Sequence, residues 1–170
     1  MAVRGAGVEG TVGAGTGLAQ VMTVRAVQFL ALVIAGLALV PTGAHLAVLP
    51  NKIALPETEY FAVQGIYRGW WILGLLWPAA IVVNVGLAVL VRSQAWPFRF
   101  ALLAAGCFVL MLAIFLVWTQ PANRATQNWT TVPANWEALR LQWEYSHAAN
   151  AGVVLLAFCL TTLSALSWKS

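Results

Sequence analysis

The nine Lys and Arg and five Glu of this 170-residue chain avoid four long stretches altogether: Ala26–Asn51, Gly69–Val91, Phe100–Asn123 and Tyr145–Trp168 carry no charge. An α-helix needs roughly 20 apolar residues to cross about 30 Å of hydrocarbon, and each window reaches that length. Unbroken apolar runs exclude the other spanning solution, a closed β-barrel, whose strands alternate over about ten residues. With 61% hydrophobic and 8% charged residues, the chain also lacks the polar material to cover a water-facing surface. The predicted fold is therefore all-α, a four-transmembrane-helix bundle occupying residues 25–170, with spans over about 26–50, 69–91, 100–120 and 145–168.

An even number of spans puts both termini on one side. Arg4, Arg25, Arg92, Arg99 and Lys169 then face Lys52, Arg68, Arg124 and Arg140 across the bilayer, and the positive-inside rule favours cytoplasmic termini in a multi-pass plasma (inner) membrane protein. The net charge of +4 comes from cations scattered over separate loops, without the contiguous patch a nucleic-acid partner requires. The bilayer is the partner that composition implies, and nothing specifies an oligomer. Residues 1–24 are rich in Gly, Ala, Val and Thr without a helical period and read as a flexible tail, with Met22 an alternative start. A cleavable signal ending near Thr42, Gly43 and Ala44 is the other reading of the first span, although its apolar run continues through Leu49. Cys107 and Cys159 fall within spans and read as small packing residues.

Pro41 is expected to bend the first span by removing one backbone bond. Pro56 followed by Glu57 and Glu59 opens a second helix, expected to run through Tyr60, Gln64, Tyr67 and Arg68 straight into the bilayer. A short turn around Arg92–Arg99 makes spans two and three a hairpin. The longest connection, Gln120 to about Asn135, reads as polar and turn-rich until Asn135 caps a long fourth helix.

Both histidines fall near the outer ends of their spans, within roughly 10 Å of the boundary at about 1.5 Å per residue. Ionisable groups at such depth face protein or a water-filled cavity, which marks them as candidates for function, with interhelical packing as the plainer role. On the fourth helix Arg140, Trp143, Glu144, His147 and Asn150 recur at three and four residues and form one polar stripe. Glu144 and His147 make a single Glu-x-x-His. A di-metal bundle would need that pair on two helices, and the chain has no Asp. Trp70, Trp71, Trp118, Trp129, Trp136 and Trp143 lie on the outer side with all three tyrosines, against Trp96 and Trp168 inside. An aromatic-lined outer vestibule for a flat organic ligand accounts for that imbalance, which an interfacial belt does not.

The stretch Asn123–Trp129, then Pro133, Trp136, Leu139, Arg140 and the run Trp143–His147, resembles the anthrone-oxygenase-like family of small four-span membrane proteins. The block from Gly43 and His45 to Arg68 and Trp70 looks similar, and the likeness covers roughly Val24 to the C-terminus. The resemblance implies oxidation of an anthrone to an anthraquinone by O2 without an added cofactor, as in the family's fungal branch; most bacterial members have no known function. Chemistry placed on these positions casts His147 as general base, Glu144 as its orienting partner, and His45 and Asn123 as polar groups for the carbonyl. Arg68, Tyr67, Asn128, Trp129 and Trp143 are the expected substrate contacts. Two alternatives stand beside this reading. One is a non-enzymatic membrane subunit that docks a partner through its Trp-rich outer loops. The other is an electron-transfer subunit holding a metal or haem at His45 and His147.

Overall fold

The computed structural model describes residues 6–170, with side chains from residue 17 onward. No strand occurs among the described residues, and four helices are long and apolar enough to cross a membrane: Gly17–Lys52, Trp70–Leu90, Ala95–Ala125 and Trp136–Ser167. The chain is an integral membrane protein built as a four-helix bundle. Its elements are α1 (Ala6–Lys52), α2 (Glu57–Gln64), a 3-10 turn (Gly65–Tyr67), a 3-10 segment (Trp70–Leu75), α3 (Leu76–Leu90), α4 (Ala95–Ile114), a π-helical turn (Phe115–Thr119), α5 (Gln120–Ala125) and α6 (Trp136–Ser167).

The spans α1, α3, α4 and α6 pack around a perimeter in that order, and α6 closes back on α1. Each therefore lies antiparallel to the helix before it. Small residues let the backbones approach, as lipid-embedded helices require when no hydrophobic force separates helix from lipid. Ala31, Ala35 and Ala38 form one buried stripe on α1 and meet Ala80, Ala101, Ala157 and Val154 from the other three spans, with Phe108 and Met111 filling the centre. Asn84 joins this half as interhelical glue: its Oδ1 accepts the Thr161 hydroxyl at 3.0 Å, and its amide donates to the Ala80 carbonyl at 2.9 Å. Phe29, Leu37, Val82, Leu102 and Leu155 are exposed all round the bundle, the surface that lipid covers.

Several expectations are revised. The flexible tail expected over residues 1–24 is helical from Ala6, continuous with the first span; extending an existing helix avoids the cost of nucleating one. Residues 1–5 lie outside the described residues. Pro41 and Pro50 are both accommodated inside α1. The second helix does not run unbroken into the bilayer: α2 ends at Gln64, Gly69 turns left-handed at φ 89°, and the chain resumes as a 3-10 segment before α3 begins. Glycine has no Cβ to oppose that turn. The third span continues through the π-helical turn and α5 to Ala125, so the irregular connection is shorter than expected, and Asn135 starts α6 without a side-chain cap bond. Cys107 and Cys159 are free.

Candidate functional site

At the end of the bundle away from the termini, the α1 stripe changes character. Continuing at helical spacing from Ala31, Ala35 and Ala38, it becomes Thr42, His45 and Lys52, all buried. The facing stripe of α6 changes in the same way, from Val154 and Ala151 to Asn150, His147, Glu144 and Trp143. Two helices that meet through alanines below thus meet through polar and aromatic groups above.

His45 and His147 stack there, ring centroids 4.1 Å apart and 28° from parallel. Tyr67 covers the other side of His45 at 4.4 Å, while Trp143 stands edge-on to both imidazoles, 5.0 Å from His45 and 4.1 Å from His147. His45 Nδ1 is buried with no hydrogen-bond partner among the described residues, so packing against rings holds this imidazole.

The imidazoles form part of the wall of a cavity of about 1240 Å³. Its walls include Pro41 and Thr42 of α1, Tyr67–Gly69, the 3-10 segment with Trp70 and Trp71, Trp77 and Pro78 of α3, Leu112 and Phe115, and Gln127–Thr130. Asn123 sets the aromatic wall: its Oδ1 accepts Trp143 Nε1 at 2.8 Å and Trp129 Nε1 at 3.2 Å. Its amide nitrogen thereby remains a donor at the cavity wall. Gln127, Asn128 and Trp129 take left-handed φ values of 49°, 56° and 64°, although none is glycine. The Asn123 carbonyl accepts the Asn128 N–H at 2.6 Å, and the Thr126 hydroxyl accepts the Trp129 N–H at 3.1 Å, which fixes this strained turn. Such strain concentrates where a side chain must be aimed, here Trp129 into the cluster with Tyr60 and Trp143.

Next to His45 lies a polar cluster, of which Gln64 and Tyr67 also reach the cavity wall while Glu144 Oε2 is buried without a hydrogen-bond partner among the described residues. The Lys52 ammonium is 2.8 Å from Glu144 Oε1, with both side chains buried, and it donates to Gln64 Oε1 and the Tyr67 hydroxyl at 3.3 Å each. Tyr60 donates to the same Glu144 oxygen at 2.9 Å and accepts from Gln64 Nε2 at 2.8 Å. The rings of Trp143 and Tyr67 flank the ammonium at 4.5 and 4.6 Å, a cation–π cage. Burial, followed by the Glu144 charge, pushes the Tyr67 hydroxyl up to about 12. The same two causes raise Tyr60 well above the usual phenol value. Both phenols are therefore donors at neutral pH. Arg140 ties this cluster to the connection above it by donating to the Leu55 carbonyl at 2.7 Å.

Of the nine residues singled out from sequence, the cavity wall takes in eight: His45, Tyr67, Arg68, Asn123, Asn128, Trp129, Trp143 and His147. Glu144 is the exception. Glu144 pairs with Lys52 and accepts from Tyr60, and no hydrogen bond joins it to His147 among the described residues. Lys52, Tyr60 and Gln64 were not anticipated. Lys52 sits seven residues after His45, on the same helix face, because α1 continues through Pro50 to Lys52. Trp77 and Phe115, whose rings meet at 5.0 Å, were also missed because the deep part of a span carries no polar marker.

No group of three or more His, Cys, Asp or Glu poised to hold a metal occurs among the described residues. Comparison with known protein families, curated proteins and solved structures finds no match.

Proposed function

We propose that this integral membrane protein oxidises a small hydrophobic aromatic of the anthrone type with O2, without an added cofactor. The observation that carries the reading is the stacked His45–His147 pair set into the wall of a cavity that Trp70, Trp71, Trp77, Trp129 and Trp143 also line. Rings of Trp70, Trp129 and Trp143 suit a flat ligand, the Asn123 amide suits its carbonyl, and an imidazole suits removal of a proton from carbon. The resemblance of Asn123–Trp129 and Trp143–His147 to anthrone-oxygenase-like proteins supports the same chemistry.

The steps balance without further redox partners. His147 takes one proton from the CH2 opposite the anthrone carbonyl, and the Asn123 amide donates to the oxygen on which the negative charge gathers. The electron-rich anion passes one electron to O2, and the resulting radical pair joins to form a C–O bond, giving a peroxide. The imidazolium protonates the outer peroxide oxygen, and the imidazole so freed removes the second C–H proton while hydroxide leaves as the O–O bond breaks, which gives the dione. Hydroxide then recovers the proton from the imidazolium as water. One O2 is consumed, the CH2 carbon is oxidised to a carbonyl, and each anthrone yields one anthraquinone and one water.

Purified protein in nanodiscs tests this by O2 uptake and anthraquinone absorbance with an anthrone substrate. Uptake that exceeds the spontaneous reaction and falls about 10²-fold or more in His147→Ala is the expected result. Uptake at the spontaneous rate, or unchanged by His147→Ala and His45→Ala together, would sink the proposal. An absorption spectrum of the same sample identifies a haem if one is bound.

A further inference from the structure

The cavity is larger, longer and more graded in polarity than a bare three-ring aromatic requires. Pockets that bury drug-sized ligands hold roughly 300–1,000 Å³, and this one holds about 1240 Å³. Along one wall it runs from Trp70 to Pro78, roughly 15 Å at 3-10 and α-helical rises. Along the opposite wall it runs from Gln120 down to Leu112, roughly 12 Å. Polar groups gather at one end: His45, His147, Asn123, Gln127 and Asn128. The deep end, between α3 and α4, is lined by Leu73, Trp77, Pro78, Leu112 and Phe115 and lies within the apolar spans.

Its rim also opens at the surface of the second span. Trp71 lines the cavity yet is 76% exposed, in the first turn of the second span.

From this shape we infer that the ligand is a membrane-dissolved amphipathic aromatic. Its ring head sits against His45 and His147, and a hydrocarbon tail lodges between α3 and α4 beside Trp77, Leu112 and Phe115. The inference rests on the proposed reading for the chemistry of the head, and it adds the tail and the membrane as the source of substrate. Lipid solvates a tail as well as a protein channel does. The channel therefore serves to admit a substrate that never leaves the bilayer, and the tail contributes little affinity of its own.

Photo-crosslinking in nanodiscs tests the placement. The probe is an anthrone carrying a dodecyl chain with a diazirine at its end, and label is mapped by peptide mass spectrometry. Expected is label concentrated on the peptides bearing Trp77 and Leu112–Phe115, lost on competition with the unlabelled dodecyl anthrone. Leu112→Trp, which fills the deep end, should lower that label at least fivefold while chainless anthrone still quenches tryptophan fluorescence at the head site. The milder Leu112→Phe should give an intermediate loss.

Label confined to lipid-facing residues such as Phe29 and Val82 would overturn the inference. So would label insensitive to competition, or an equal yield at the same peptides from a phospholipid with a diazirine-tipped acyl chain. Because crosslinking needs no turnover, the two proposals fail separately. Placed label without O2 uptake removes the oxidase reading alone, and uptake with scattered label removes the tail alone.

Discussion

Lys52 and Glu144 form a buried ion pair behind the wall of the cavity. Two unlike charges removed from solvent lose hydration, and they recover it only through close pairing and further hydrogen bonds, which Tyr60, Tyr67 and Gln64 supply. Lys52→Met leaves the Glu144 carboxylate buried beside apolar atoms and is expected to cost about 3–5 kcal/mol. Lys52→Met combined with Glu144→Leu removes both charges and should recover most of that loss. Thermal unfolding of wild type, Lys52→Met, Glu144→Leu and the double variant in one detergent measures the cycle, and a double-variant loss equal to the sum of the two single losses would show the pair to be uncoupled. Tyr67 reports on the same cluster from outside the spans. Its hydroxyl titrates near 12 rather than near 10, first through burial and then through the Glu144 charge. Above pH 10 an unfolded chain releases this proton while the folded one keeps it, so Tyr67 makes stability fall as pH rises from 10 toward 12. Below pH 10 it has no such effect. Difference absorbance between wild type and Tyr67→Phe should place the tyrosinate near pH 12, and Glu144→Gln should move it part of the way back. The histidines were legible in the sequence because an ionisable residue in an apolar run stands out. Lys52 was not, because a lysine next to a span boundary has the same appearance whether it turns to water or inward.

At the scale of elements, the decisive departure from a plain four-helix bundle is the break between α2 and α3. Hydropathy cannot register it, since Trp70–Leu75 is as apolar as a 3-10 segment as it would be as an α-helix. The glycines mark it, and they differ in what they do. Gly69 has φ 89°, whereas Gly65 is right-handed at φ −59°, and a Cβ at either would meet nothing within 4 Å. Gly69→Ala should therefore cost about 1–2 kcal/mol through backbone strain alone. Gly65→Ala, in a compatible conformation, should be neutral or stabilising by about 0.4–1 kcal/mol. Chemical unfolding in mixed micelles compares the two; a Gly69→Ala protein as stable as Gly65→Ala would mean that the left-handed turn is not held in solution. On the other side of the cavity the left-handed run Gln127–Trp129 was likewise invisible to pattern reading, because none of its residues is the glycine that ordinarily signals such a backbone.

The whole molecule divides into a half that is packed and a half that is hollow, and the division follows residue size along single helix faces. On α1 the face begins with alanines and ends in Thr42, His45 and Lys52, so one rigid element joins the tight half to the cavity. This polarity could be read from the sequence, where uncharged windows gave the spans and the uneven aromatics marked the end that holds the cavity. The cavity's depth could not, because a Trp or Phe inside a span looks alike whether it meets lipid, another helix or empty space. The division predicts how a change in the packed half is felt in the hollow one. Ala38 is fully buried against the Phe108 and Val154 cluster, and its carbonyl accepts the Thr42 hydroxyl at 3.1 Å. Ala38→Leu adds volume where close-packed backbones have none to give, and overpacking of this kind costs about 1–3 kcal/mol. If α1 moves as one body to relieve it, His45, seven residues on, shifts against His147 and the ring stack opens. Leu37→Ala, one residue away but half exposed to lipid, should change stability by no more than about 0.5 kcal/mol and leave the stack intact. Melting temperature together with quenching of tryptophan fluorescence by an anthrone separates the possibilities. Loss of both in Ala38→Leu, with neither lost in Leu37→Ala, identifies α1 as the rigid link between the halves. Loss of stability with quenching unchanged would instead mean that the helix yields locally at Pro41, between the two residues.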